Sequence, residues 1–234
     1  MSGSRSEAVR LAFPPVAPTA RYDGFVDWYE QWTGDGPGLV AEHAGLLGRL
    51  AGSRVLDVGC GLGRLSRYLA GHGAMVVGLD VSRAMLARAR QSGANGIDYL
   101  PGDVATPGEW WDGEPFDGCT CELALMDIDD LTGTLAAVAG VLRPGGWFVA
   151  SIVHPCFPGN EDGLSSWPPA GYDTEGWWTS ADHNPDGARI RVGATHRKLS
   201  TYLNGLSQVG LELETLLEPA AVVPTFLLWR CRRR

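Results

Sequence analysis

Basic charge is scarce in this chain. Lys198 is the only lysine among 19 Lys and Arg residues, which face 27 Asp and Glu for a formal net charge of -8. Phosphate binding needs a basic surface to release counterions, so a general nucleic-acid binder is excluded. Long apolar runs are missing too. Nothing approaches the roughly 18 consecutive apolar residues of a membrane span, and the polar opening Met1-Ser2-Gly3-Ser4-Arg5-Ser6 lacks the apolar centre of a signal peptide. A soluble, cytoplasmic protein that engages neither nucleic acid nor membrane is expected. The five cysteines, Cys60, Cys119, Cys121, Cys156 and Cys231, form no CxxC pair and no zinc-like spacing with His. Reduced thiols and no metal site follow. The one basic cluster, Arg230-Cys231-Arg232-Arg233-Arg234, reads as a frayed, solvated end.

What remains is ample material for one packed domain: 234 residues, 44% of them apolar, without internal repeats. Residues 1–21 carry Pro14, Pro15 and Pro18 without periodicity and read as a flexible arm. The single domain then spans 22–234. Tyr22, Phe25, Trp28, Tyr29 and Trp32 recur at helical spacing, and a second short helix is predicted around Leu39 to Leu50.

From residue 52 to 153 short apolar strands alternate with amphipathic helices, the pattern of a doubly wound, mostly parallel α/β sheet. Five strands are predicted there: Arg54 to Val58, Ala74 to Leu79, Ile97 to Leu100, Asp117 to Leu123 and Trp147 to Val153. Ser82 is placed to cap the helix carrying Met85, Leu86 and Ala89, and Arg143-Pro144-Gly145-Gly146 is expected to stop the helix before strand five. Regularity pauses over residues 154–196, a proline- and glycine-broken insertion. It returns over 197–234 with a helix near Leu199 to Val209 and two strand-like runs, Leu211 to Leu217 and Val222 to Arg230. Those runs are expected to close a seven-stranded sheet as an antiparallel hairpin.

The chemistry concentrates at Val55-Leu56-Asp57-Val58-Gly59-Cys60-Gly61-Leu62-Gly63. A strand, a glycine turn and a helix bring backbone close to a nucleotide-like ligand and aim free N–H groups at it. The dinucleotide fingerprint needs glycine at the first, third and sixth positions, whereas here Gly59, Gly61 and Gly63 take the first, third and fifth and Arg64 the sixth. That departure weakens a nicotinamide reading.

The stretch from Val55 to Gly63 resembles the first motif of class I S-adenosylmethionine-dependent methyltransferases, in which an acidic residue, here Asp57, ends the strand before GxGxG. The resemblance continues through Asp80, Gly102-Asp103-Val104, Phe116-Asp117 and Leu142-Arg143-Pro144-Gly145-Gly146. It implies that S-adenosylmethionine is the methyl donor and S-adenosylhomocysteine the product. It also implies that Asp80 accepts from the ribose hydroxyls and Asp103 from the adenine amine, with Gly102 and Val104 beside it and Val81 and Met85 on the ring faces. Asp57, Asp80, Asp103 and Glu122 would bias the pocket towards a cation.

Candidates for a general base at the carboxyl edge of the sheet are His154, Asp127 and His196, with His183 a further loop histidine. A structural role for His154, its ring bonded to backbone at the strand exit, stands beside the catalytic one. The insertion lies where small-molecule members of the family build an acceptor lid. His154-Pro155-Cys156-Phe157 and Arg197-Lys198-Leu199-Ser200-Thr201-Tyr202-Leu203-Asn204 resemble a bacterial small-molecule subgroup. Trp167, Tyr172, Trp177 and Trp178, with Tyr22 and Tyr29, are candidates to wall an aromatic or apolar acceptor of secondary metabolism methylated on O or N. The alternatives are a protein- or peptide-directed methyltransferase and a non-catalytic cofactor-binding subunit. A monomer or homodimer is expected.

Overall fold

The computed structural model describes residues 20–34, 38–93, 95–157, 171–179 and 187–234. In chain order the first elements are α1 (Val26–Thr33), α2 (Val40–Ala44), β1 (Arg54–Val58), α3 (Arg64–Gly71), β2 (Met75–Asp80), α4 (Arg83–Gln91) and β3 (Ile97–Pro101). They are followed by β4 (Phe116–Glu122), α5 (Leu131–Val141), β5 (Leu142–Val153), β6 (Gly176–Trp178), α6 (Ala188–Arg191) and β7 (Ala194–His196). The chain closes with α7 (Leu199–Gln208), β8 (Leu211–Leu217) and β9 (Phe226–Arg233).

Seven strands form one sheet in the order β3-β2-β1-β4-β5-β9-β8, while β6 and β7 make a separate antiparallel ribbon. Pairings from β3 across to β5 are parallel, and β9 runs antiparallel between β5 and β8. Strand order reverses between β1 and β4. A crevice therefore opens beyond their carboxyl ends, where an open α/β sheet takes its ligand.

Both faces of the sheet are covered, which explains why β1 reads as an almost unbroken apolar run with four of its five residues buried. One core cluster joins Leu56, Val58, Phe116 and Phe148 to Leu135 and Val138 of α5 and to Tyr202 and Leu206 of α7. The other packs Val55, Val76 and Val149 against Leu65 and Leu69 of α3 and Val40 of α2. Ser82 caps α4, its Oγ accepting from the Met85 N–H at 3.1 Å.

Four expectations are corrected. The second helix is only Val40–Ala44, since Gly45 and the residues after it turn back towards β1. Strand five begins at Leu142, because Phe116 pairs with Leu142 across a register shift and the Arg-Pro-Gly-Gly run is absorbed into the strand. The last strand starts at Phe226, leaving Val222 fully exposed before it. The basic end is not frayed: Arg230 and Arg232 both bond Glu214 of β8, and Cys231 is buried. Among the described residues no helix is long and apolar enough to cross a membrane, and no group of three His, Cys, Asp or Glu is placed to hold a metal ion.

Candidate active site

The turn after β1 holds Gly59, Gly61 and Gly63 at φ of 63°, 50° and 73°, a left-handed conformation that other residues adopt only with strain. The N–H groups of Gly59 and Cys60 both reach the Leu79 carbonyl, fastening the turn to the end of β2. Asp80 completes the join. One carboxylate oxygen accepts from the Gly61 N–H and the other from the Ser82 N–H, each at 2.8 Å. Burial raises the Asp80 pKa, and those two backbone donors oppose the rise.

Asp57 lies beneath the turn, where its carboxylate accepts from Ser66 Oγ at 2.5 Å and Thr120 Oγ1 at 2.8 Å. Burial pushes its pKa up to about 6. Asp57 therefore ties the start of α3 and Thr120, near the carboxyl end of β4, to the end of β1, although a cavity also reaches it. Gly63 is buried and lines none of the cavities described below. A Cβ there would stand 2.1 Å from the Tyr99 hydroxyl, so its glycine permits helix-to-strand packing.

A cleft of about 780 Å³ opens above the turn. Gly59, Gly61, Asp80, Val81, Met85, Gly102, Asp103 and Val104 line one side, Glu122 and the loop after β4 the other, and Tyr22 and Tyr29 close over it. Ten of the eleven residues expected at the donor are thus brought to one connected space, with Gly63 the exception. A second chamber shares Tyr29, Gly59, Gly61, Glu122 and Leu123 and extends to Asp57, Cys60 and Arg64. There Glu122 accepts the Leu39 N–H at 2.8 Å, and burial lifts its pKa to about 7.

A third cavity, about 620 Å³, lies at the ends of β4 and β5. It is walled by Tyr22, Tyr29, Trp32, Leu123, Met126, Val153 and Phe226, with Asp127 and Arg189 as its charged lining and Thr225 and Ala188 beside them. It shares Tyr22, Tyr29, Leu123 and Asp127 with the first cleft. Asp127 is already engaged. Its Oδ2 accepts from the Tyr22 hydroxyl at 2.9 Å and its Oδ1 from Arg189 Nη1 at 2.9 Å, while Arg21 donates to its carbonyl at 2.7 Å. This carboxylate ties Tyr22 on one wall of the cavity to Arg189 on another.

The two histidines expected as bases are elsewhere. His154 Nδ1 accepts from the Cys156 N–H at 3.1 Å, which leaves Nε2 to donate to Glu218 at 2.9 Å. His196 bonds the Tyr172 carbonyl at 2.8 Å. Both flank a smaller cavity of about 390 Å³, together with Trp178 and Arg197. Neither lines the large cavities. His154→Ala is accordingly expected to cost about 2 kcal/mol of folding stability, from a buried side chain and two lost hydrogen bonds. Donor affinity should stay the same. Urea unfolding beside calorimetric titration checks this, and full stability with a tenfold drop in turnover would restore the catalytic role.

Tyr172 packs edge-on to His196 and its hydroxyl accepts from the Leu199 N–H, while Trp177 is 55% exposed. None of Tyr172, Trp177 and Trp178 walls the third cavity; Trp178 lines the smaller cavity that shares Met126, Val153 and Arg189 with it. Trp167 and His183 lie outside the described residues.

Sequence reasoning missed Leu123 and Arg189. Leu123 lines all three large spaces, and its φ of 50° makes it the only non-glycine with positive φ among the described residues. Its N–H reaches Ser151 Oγ at 3.0 Å, which holds this conformation in place. A leucine closing a strand carries no signal of that kind. Arg197, buried, donates to the carbonyls of Leu125, Ile128 and Asp129 and fixes the loop that carries Asp127.

Comparison with known proteins places this geometry. A family model described as a methyltransferase domain matches residues 56–150. A solved S-adenosylmethionine-dependent methyltransferase from Mesorhizobium loti is 32% identical, with a TM-score of 0.69 over 85% of this chain and 99% of that one. The chain belongs to the class I S-adenosylmethionine-dependent methyltransferases. A putative methyltransferase of the same kind from Listeria monocytogenes is 26% identical, with a TM-score of 0.66 over 83% of this chain and 97% of that one. A ubiquinone biosynthesis O-methyltransferase of Thiobacillus denitrificans is 40% identical over 114 residues, 45% of this methyltransferase chain and 46% of the relative. The chain thus spans about half the length of the curated relatives it matches.

Proposed function

We propose that this methyltransferase moves a methyl group from S-adenosylmethionine to an oxygen of a small molecule with an aromatic or apolar body. The observation that carries the reading is the aromatic-walled cavity opening off the glycine-turn cleft at Tyr29 and Leu123. The O-methyltransferase names of the curated relatives support oxygen over nitrogen.

The residues of the cleft fit the donor. Asp80 spends one lone pair of each oxygen on backbone and keeps others for a ribose diol. Val81 and Met85 offer apolar surface for adenine and Asp103 an acceptor for its amine, while Gly59, Gly61 and the carboxylates of Asp57 and Glu122 suit the cationic methionine end. When bound, the donor supplies an electrophilic methyl group whose C–S bond breaks, leaving the electron pair on sulfur, as the bond to the acceptor forms. The protein then needs chiefly to align the acceptor. In the same proposal the described part of the 154–196 insertion contributes Ala188 and Arg189 of α6 to the acceptor cavity.

The test is methyl transfer to a panel of phenols and to a metabolite extract, read as a mass gain of one methyl group. Modification confined to protein or RNA would overturn the reading.

A pH dependence follows from Glu122, whose pKa near 7 stands above the ordinary carboxylate value. Glu122 is therefore neutral at lower pH and anionic at higher pH. Affinity for the sulfonium-bearing donor should fall by roughly tenfold as pH drops from about 8 to about 6, and affinity for the neutral thioether product should fall less. Glu122→Gln should flatten the difference. Titrations in which donor and product affinities keep a constant ratio would refute the assignment.

A further inference from the structure

Arg189 is the only cation lining the third cavity among the described residues. Its side chain is 12% exposed, and one nitrogen does all its bonding: Nη1 donates to Asp127 at 2.9 Å and to the Gly193 carbonyl at 2.8 Å. Among the described residues Nε and Nη2 have no protein partner. These two nitrogens form one edge of the guanidinium, with two parallel N–H groups in the fork that suits a carboxylate or a single oxyanion. Neither nitrogen is sealed away without a partner, so both face solvent-accessible space where a bound group can take the place of water.

A second observation concerns protons. The carboxylate of Asp127 is held by Tyr22 and Arg189, one hydrogen bond on each oxygen, and the rings of His154 and His196 are engaged outside this cavity. Among the described lining residues Asp127 is the only carboxylate, and it is already ion-paired to Arg189. An acceptor whose attacking oxygen arrives as an anion needs no proton acceptor. Asp57, Asp80 and Glu122 stand on the donor side, while the acceptor side carries the Arg189 guanidinium, ion-paired to Asp127 through Nη1 and with its Nε and Nη2 edge left for an anion.

Resting on the proposed methyl transfer, we infer that Arg189 selects acceptors that carry an oxyanion, held on the Nε and Nη2 edge. The oxyanion is either the attacking oxygen itself, as in an acidic phenol, or a carboxylate elsewhere on the same molecule. In the first case the methyl group adds directly to oxygen and no proton has to leave; in the second the attacking hydroxyl releases its proton to solvent water as the new bond forms.

The experiment uses the full chain saturated with S-adenosylhomocysteine, whose own binding is titrated first, so that loss of the donor reading shows separately. Protocatechuic acid, its methyl ester, catechol and nitrocatechol are then titrated near neutral pH. Each anionic probe is expected to bind about tenfold more tightly than its neutral counterpart. A preference for the acid over its ester assigns a remote carboxylate, and one for nitrocatechol over catechol assigns the attacking oxygen. Arg189→Gln should erase the preference and Arg189→Lys keep part of it, since lysine retains charge without the fork. Equal binding of charged and neutral probes, no binding of either anionic probe, or a preference surviving in a folded Arg189→Gln protein would each overturn the inference.

Discussion

Replacing Asp80 by alanine is expected to weaken S-adenosylmethionine binding by about 100-fold. Hydrogen bonds to a charged group contribute about 1.5 to 3 kcal/mol each. Losing a ribose diol from one carboxylate therefore costs on the order of 3 kcal/mol, or two decades of affinity. The same carboxylate also receives the N–H groups of Gly61 and Ser82, so the variant loosens the turn against α4 as well as removing the ligand contact. Both N–H groups lie at the edge of an open cleft where water can replace the lost oxygen, which keeps the stability loss near 1 kcal/mol. Asp80→Asn, which keeps one acceptor oxygen, should fall between alanine and the parent. Calorimetric titration decides the matter, and an unchanged dissociation constant in the alanine variant would remove Asp80 from the ribose.

Gly59→Ala is expected to destabilise the fold by about 3 kcal/mol, well beyond what the same change does at Gly61. Both glycines are left-handed, at φ of 63° and 50°, and an alanine at either pays roughly 1 to 2 kcal/mol for that conformation. Only Gly59 adds a collision, since a Cβ there would sit 2.4 Å from the Cβ of Ala124, whereas one at Gly61 meets nothing within 4 Å. Relief requires the loop after β4 to retreat, and that loop carries Leu123, which borders the cleft, the second chamber and the third cavity. Donor affinity should therefore fall together with stability. Urea unfolding of the two variants separates the contributions, and Ala124→Gly in the Gly59→Ala background should recover the collision but not the backbone strain. Equal losses at the two glycines would show that packing against Ala124 does not constrain the turn.

The donor half of the molecule was legible in the sequence because its signals are local. Arg54 to Val58 was bounded by burial on both faces and by the glycine that follows, and α4 by the serine that caps it. Asp80 and Asp103 sit at strand ends, where sequence position alone puts a side chain at the carboxyl edge of the sheet. The acceptor half was not legible, because its decisive contacts join distant residues. Arg189 meets Asp127 across 62 positions, and Tyr22 meets it across 105, with no spacing pattern to betray either. His154 looked catalytic from its place at the end of β5, yet its ring is turned into a bond with Glu218, another residue that no periodicity connects to it. The basic end failed for the same reason: four arginines read as solvated, yet Glu214 of the neighbouring strand pairs with Arg230 and Arg232.

The first helix gives the fold one more property. None of the residues of α1 is buried. It is held from outside, by Arg88 to Asp27 and Glu30, by Arg64 to Thr33, and through the preceding turn by Asp23 to Ser82 and Arg21 to Asp129. Fastenings of this kind are screened by dissolved salt, whereas the sheet beneath rests on apolar burial that salt does not loosen. The two therefore open on different scales, the helix by a local excursion and the sheet only with the whole domain. Raising ionic strength is accordingly expected to loosen α1, and Tyr29 with it, before it disturbs the sheet.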